Sequence, residues 1–239
     1  MECIRCKKRE FYFCKDGPDW ISFCKENSCM KDDSDSSKSI AREEYAKGAS
    51  RDARGNIISG ADKFGMGARY KNASLAKWLA DDKHHAIVNN WIYNLNYSIL
   101  VEGSPGTGKT FMLASVLNYL DEKKLEIFYI TQRKLIKFIQ DGISEDQSQY
   151  YLLNKIAYKN ILLFDDLGSS ANTEWQKEII LELIDIRYSK KLPTIYTTNL
   201  NNQQIKDELG NRTASRLLSK ENKIIEIWTE DLRQSIIET

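Results

Sequence analysis

The sequence predicts an α/β protein: a three-layer arrangement with a parallel sheet between helices, preceded by a small cysteine-rich module. Three observations carry that expectation. Five short apolar runs, rich in β-branched and aromatic residues, are separated by helix-length amphipathic stretches. A glycine-rich loop at residues 103–110 joins the first run to a helical stretch. All five cysteines of the 239-residue chain fall within the first 29 residues.

Those cysteines are Cys3, Cys6, Cys14, Cys24 and Cys29. An odd count, and a long remainder without cysteine, disfavour a disulfide framework. The segment has too few apolar residues for a core, and zinc held by thiolates is the usual staple for so small a module. Cys3-x2-Cys6 makes a first knuckle and Cys24-x4-Cys29 a wider second one. Cys14 is the spare ligand and can replace Cys24. EFYFCK and WISFC alternate as two short strands, with Asp16-Gly17-Pro18-Asp19 as their turn. The expected organisation is a zinc module over 1–30, a linker over 31–64 with a short helix at Ala41–Lys47, and a core over 65–239.

Composition excludes some classes of function. The net charge is +1, with 41% hydrophobic and 29% charged residues, so the chain is globular and bulk attraction to nucleic acid is not its theme. No apolar run approaches the ~20 residues of a membrane span. The first residues lack a signal-like apolar core, so a cytoplasmic protein with no membrane partner is expected.

The strands expected in the core are Tyr97–Glu102, Ile127–Ile130, Ile161–Asp165, Thr194–Asn199 and Lys223–Trp228. The clearest helix runs from Thr173 to about Lys190. Thr173 and Gln176 fit a capping box, Trp175, Ile179, Ile180, Leu183 and Ile184 form one stripe, and Pro193 follows the end. Strands alternating with helices imply a parallel sheet covered on both faces.

Gly103-Ser104-Pro105-Gly106-Thr107-Gly108-Lys109-Thr110 is a complete G-x-x-x-x-G-K-[ST] motif between a strand and a helix. Gly103, Gly106 and Gly108 let backbone N–H groups turn inward around phosphates, and the helix start adds partial positive charge. Lys109 is expected to reach the β- and γ-phosphates of ATP, and the Thr110 hydroxyl to ligate Mg²⁺. The apolar strand Ile161–Phe164 then ends in Asp165 and Asp166. An apolar strand ends in two carboxylates where they emerge at the carboxyl edge of the sheet, the place of ligand sites in α/β folds. Asp165 is the expected acid on the Mg²⁺ side, and Asp166 the group that orients and deprotonates the attacking water. Asn199, closing the strand Thr194–Asn199, is a candidate to position that water.

Together these residues resemble the AAA+ class of P-loop ATPases, and more narrowly the DnaC/DnaI-like bacterial helicase loaders. The resemblance runs from about Gly65 to the C-terminus. It rests on GMGARYKNASL (Gly65–Leu75), the Walker A loop at 103–110, the Walker B strand ILLFDDLG, the sensor-1 strand PTIYTTN, and LGNRTASRL (Leu209–Leu217). The last segment matches the family's arginine-finger box. The resemblance implies that Arg216, or Arg212 beside it, reaches a neighbouring subunit's γ-phosphate. It places Arg233 at the sensor-2 position and Arg69 and Tyr70 at the adenine end of the nucleotide. It implies an ATPase that self-associates on ATP, docks on a replicative DNA helicase through its zinc module, and touches single-stranded DNA. The best local basic face for that contact is Thr131-Gln132-Arg133-Lys134 with Lys137.

There are departures from the family pattern. Asn211 stands where relatives often carry Glu, which leaves the choice between Arg212 and Arg216 open. Asp166 replaces the Glu common in the wider class. With Arg233 so near Thr239, neither a full helical lid nor a helix-turn-helix is expected. Two competing functions are an IstB-like transposition ATPase and a nucleotide-sensing adaptor with little hydrolysis. The intact Lys109, Asp165, Asp166 and Asn199 disfavour the adaptor. His84-His85 is read as a helix surface, since adjacent helical residues point apart.

Overall fold

The computed structural model describes residues 11–13, 22–24, 59–169 and 173–232. The chain divides into two compact units, Met1–Ile58 and Ser59–Thr239. In the first, β1 (Phe11–Phe13) pairs antiparallel with β2 (Ser22–Cys24), Tyr12 opposite Phe23. These are the two short strands expected between the cysteines. Cys3, Cys6, Cys14 and Cys29, the linker from 31 to 58 and the helix at Ala41–Lys47 lie outside the described residues. Cys24 is the last residue of β2.

The second unit opens with α1 (Gly60–Lys63), capped by a reciprocal Ser59–Asp62 box. It continues through α2 (Asp82–Asn94), β3 (Ile99–Gly103), α3 (Lys109–Glu122), β4 (Ile127–Thr131), α4 (Gln132–Ser144) and α5 (Gln149–Ala157). Then come β5 (Ile161–Leu167), α6 (Glu174–Ser189), β6 (Thr194–Thr198), α7 (Asn202–Leu209), α8 (Asn211–Leu217) and β7 (Lys223–Ile227). The sheet order is β4-β5-β6-β3-β7, parallel throughout.

All five strands expected from sequence are present. Their residues divide between the two faces by alternation. Leu100, Leu162, Phe164 and Tyr196 pack with the apolar sides of α4, α5, α6 and α8. Ile99, Val101, Leu163, Ile195 and Ile225 pack with α2 and α3. Burial on both faces is why the strands read as continuous apolar runs. The capping box of α6 forms as expected, with the Thr173 hydroxyl and the Gln176 side chain bonding each other's backbone N–H groups.

Two features escape the sequence pattern. The compact unit begins at Ser59, inside the stretch expected to be linker, because Asn118 of α3 ties it down. The Asn118 side chain accepts from Ala61 N and donates to the carbonyls of Tyr70 and Ala73. The second is Arg187, 1% exposed on the buried side of α6. Its guanidinium bonds Thr194 Oγ1 and the carbonyls of Ala157, Lys159 and Pro193, joining the ends of three elements. Burial pulls its pKa down to about 10. Four oxygens take four of its five N–H donors, in place of a carboxylate partner.

Candidate functional site

The phosphate loop leaves the sheet at the end of β3, an interior strand. β3 is buried along its length, with β6 on one side and β7 on the other. Gly103 lies so close to β7 that a Cβ there would run into the Ile227 carbonyl. Gly106 and Gly108 take positive φ values, 81° and 89°, which turn the chain back into α3. Gly108 is the N-cap of α3 and supplies no side-chain cap. Uncapped N–H groups at a helix start, in a glycine cradle, fit an anion such as a nucleotide phosphate.

Lys109 is buried. Its ammonium bonds the carbonyls of Gly103 at 2.8 Å and Ser104 at 2.6 Å. Thr107 Oγ1 donates to the Ser104 carbonyl, closing the loop on itself. Thr110 Oγ1 stands 3.4 Å from Asp165 Oδ1, across from the Walker B strand. A hydroxyl and a carboxylate converging at the sheet edge form the oxygen donor set that suits Mg²⁺.

Asp165 is 1% exposed and is held from two neighbouring strands. Tyr129 on β4 donates its hydroxyl to Oδ2 at 2.9 Å, and Thr197 on β6 donates to Oδ1. Burial, then the charge of Asp165, pushes the Tyr129 phenol well above its ordinary range, so it remains a donor. Sequence reasoning missed both partners, because each becomes adjacent only through strand pairing.

Asp166 sits on an irregularity in the β5–β6 register, in a left-handed conformation with φ 57°. The irregularity falls near the carboxyl end of β5, where both acids lie. The Asp166 amide donates to Thr197 Oγ1, which secures the kink. Its side chain faces outward while Asp165 stays inside. Desolvation first, then the neighbouring Asp165, raises its carboxyl above the usual range, with Lys109 and Arg133 acting in the opposite sense. Asn199 follows β6 directly and is exposed. Because β6 lies between β3 and β5, Asn199 leaves the sheet between the phosphate loop and the acid pair.

The remaining expected residues fall in different places. Arg216 on α8 bonds Asp185 on α6, Nε to Oδ1 at 2.6 Å. Arg212 instead lines an open cavity of about 340 Å³ with Glu178, Glu182 and Asp185. Arg69 stacks on Tyr70 and donates to its hydroxyl at 2.7 Å. Tyr70 itself packs with Ala61, Ala73 and Ala114 against α3. Arg133, Lys134 and Lys137 are exposed on α4, the last paired with Asp141. Arg233 lies outside the described residues. Just before it, Leu232 N bonds the Gly106 carbonyl, and the Asp231 carboxylate abuts Gly106. His84 pairs with Asp81, and His85 packs on Trp78, so the two histidines face different partners.

Glu102, immediately before the loop, was not anticipated. It is 2% exposed, and Glu226 lies opposite it on β7. Burial, then Glu226, pushes its carboxyl up to about 7. The native state therefore holds this proton more tightly than the unfolded chain does. The stability from that proton is fully present below the ordinary carboxylate value and is lost as pH rises through about 7. Glu102→Gln should remove that slope and raise Tm at pH 8 by roughly 3 °C. Thermal melts at pH 5 and pH 8 test this; an unchanged difference between the two pH values refutes it.

Comparison with known families matches residues 99–221 to the ATPase family associated with various cellular activities (AAA). The replicative helicase loader DnaC of Escherichia coli (strain K12) is 31% identical over 125 residues, covering 50% of this chain and 49% of that protein. The replicative helicase loader DnaI of Bacillus subtilis (strain 168) is 30% identical over 105 residues, covering 44% of this chain and 33% of that protein. A crystal structure of the DnaC helicase loader superposes with a TM-score of 0.59 at 24% identity, covering 67% of this chain and 99% of that one. The chain thus spans about half the length, or less, of these two curated relatives. Among the described residues, no helix is long and apolar enough to cross a membrane. The match takes in the phosphate-loop strand, the acid pair and both candidate arginines, and on it the chain belongs to the AAA family of ATPases.

Proposed function

We propose that the chain is an ATP-hydrolysing helicase loader, which docks on a replicative DNA helicase and helps deliver it to single-stranded DNA. The observation that carries the ATPase part is the meeting of Thr110 and Asp165 beside the glycine cradle. The loader part rests on similarity to DnaC and DnaI.

In this reading the loop N–H groups and Lys109 hold the β- and γ-phosphates of ATP. Thr110 and Asp165 hold Mg²⁺, which when bound neutralises charge on the phosphate oxygens. Tyr129 and Thr197 fix the Asp165 carboxylate in the orientation needed for that role. Asn199 orients a water, and Asp166 takes its proton as the oxygen attacks the γ-phosphorus. The bond from the γ-phosphorus to the β,γ-bridging oxygen breaks, releasing ADP and phosphate. The raised basicity of Asp166 suits a proton acceptor. Arg216 or Arg212 enters from a second copy and stabilises the charge, so hydrolysis follows assembly. Arg233 and the Arg69–Tyr70 pair serve the nucleotide in the sensor-2 and adenine roles. Cys3, Cys6, Cys24 and Cys29, with Cys14 as alternate, hold zinc in the helicase-docking module, a donor set of soft thiolates. Arg133, Lys134 and Lys137 supply a contact with single-stranded DNA. A cytoplasmic location follows from work on replicating DNA.

The test is steady-state ATPase activity of the full chain, alone and with single-stranded DNA and the cognate replicative helicase, alongside co-purification with that helicase. Hydrolysis that rises with DNA, together with a stable helicase complex, supports the proposal. Hydrolysis without any helicase complex overturns the loader assignment, and a transposase captured instead points to the IstB-like alternative. No hydrolysis under any condition overturns the ATPase assignment.

A further inference from the structure

Trp78 ends the short turn Leu75–Lys77 and lies beside the phosphate loop. A Cβ built on Gly108 would sit 3.5 Å from both Cδ1 and Nε1 of the indole. The N–H edge of the ring therefore faces the residue that caps α3 and precedes Lys109. Trp78 is 3% exposed, and among the described residues its Nε1 has no hydrogen-bond partner. Two other tryptophans satisfy theirs. Trp91 donates to the Tyr97 carbonyl and Trp175 to Gln149 Oε1, each at 2.7 Å. A buried N–H without an acceptor is costly, and an orphan at the edge of a ligand cradle is explained by a ligand that supplies one.

The indole is also held in place. Trp78 N bonds the Leu75 carbonyl, and the Trp78 carbonyl accepts from His85 Nε2 at 3.1 Å. The imidazole ring of His85 packs edge-on against the indole at 5.1 Å. Gly108 has no side chain to separate the ring from the loop. A donor fixed this way loses little entropy when an acceptor arrives.

We propose that the Trp78 indole N–H is a nucleotide-binding donor, bonding an oxygen at the sugar and α-phosphate end of a nucleoside di- or triphosphate. The proposal rests on the nucleotide reading of the loop and adds a contact to it. Its direction comes from the strand order. Asp165 and Thr110 mark the side of the loop that faces β5. Gly108 is flanked by Trp78 and by Leu232, which follows β7 on the other side of β3. The phosphate tail runs toward the acid pair, which leaves the sugar end by the indole.

Calorimetric titration of ADP and of pyrophosphate into the full chain, for wild type, Trp78→Phe and Lys109→Met, provides the test. Trp78→Phe keeps an aromatic ring and removes the donor. It should weaken ADP binding roughly tenfold, leave pyrophosphate binding unchanged, and leave the ligand-free Tm equal or higher. In the wild-type chain with ¹⁵N-labelled indoles, one tryptophan N–H resonance should move downfield on ADP. This second measurement decides the matter if the variant does not fold. Unchanged ADP affinity in Trp78→Phe, or no indole resonance that moves, overturns the proposal. Equal weakening of ADP and pyrophosphate overturns its placement at the sugar end. Failure of the underlying reading looks different: wild type takes up no ADP, or Lys109→Met binds it as well as wild type.

Discussion

Lys109→Met should bring ATP turnover down by roughly 10³-fold, the scale of removing one preorganised charge-stabilising donor. Methionine keeps the apolar stem and removes only the ammonium, so the change tests charge and not packing. In the structure that ammonium bridges the carbonyls of Gly103 and Ser104 and draws the two ends of the loop together. Its loss acts twice, once on phosphate binding and once on loop shape. Both effects should raise the Kd for fluorescent ATP analogues as well as lower turnover. Circular dichroism melts separate this from unfolding, since the sheet core does not depend on the lysine. Turnover within a factor of two of wild type would remove Lys109 from the site.

Arg216→Ala should lower hydrolysis by about 10³-fold, the low end of an arginine supplied across an interface, while ATP affinity changes little. The Asp185 contact bears on how to read the result. Both side chains are partly open to solvent, 31% and 39% exposed, and a pair of that kind adds only about 0–1 kcal/mol to folding. A large loss of activity with an unchanged melt therefore cannot come from the lost ion pair. Mixing Arg216→Ala with Asp166→Asn should restore part of the activity. At one of the two kinds of mixed interface, Arg216 of the Asp166→Asn copy meets the intact acid pair of the Arg216→Ala copy; the opposite interface lacks both groups, so recovery is partial. Arg212→Ala settles the choice between the two arginines. If it alone abolishes hydrolysis, the finger is Arg212, and Arg216 serves only the Asp185 bridge. Measuring ATPase of the three variants singly and mixed decides among these outcomes.

Much of this site is legible in one dimension because its chemistry is local. The loop at 103–110 needs glycines at fixed offsets so that consecutive N–H groups turn inward, and no distant residue changes that requirement. The strands are legible because a parallel strand buried on both faces favours apolar and β-branched side chains over charged and amide ones. Ile161–Phe164 carries no charged or amide side chain until the strand reaches the edge. The cap of α6 is legible because Thr173 and Gln176 lie three residues apart and their side chains bond each other's backbone N–H groups.

What the order of residues does not carry is which strands lie side by side. Nothing in the chain says that β6 inserts between β3 and β5, yet that order brings Asn199 between the loop and the acids and gives Asp165 its Thr197 partner. Tyr129 reaches Asp165 only because β4 flanks β5 on the other side. Arg187 reads as a surface cation on a helix, and only the packing of α5 and β6 turns it into a buried clasp. Trp78 reads as one more apolar residue until the approach to Gly108 leaves its N–H facing the loop. Local backbone geometry and binary pattern therefore dictate that there is a phosphate loop, a parallel sheet and an acid pair. Long-range pairing and burial, which act between residues far apart in sequence such as Tyr129 and Asp165, decide which side chains orient them.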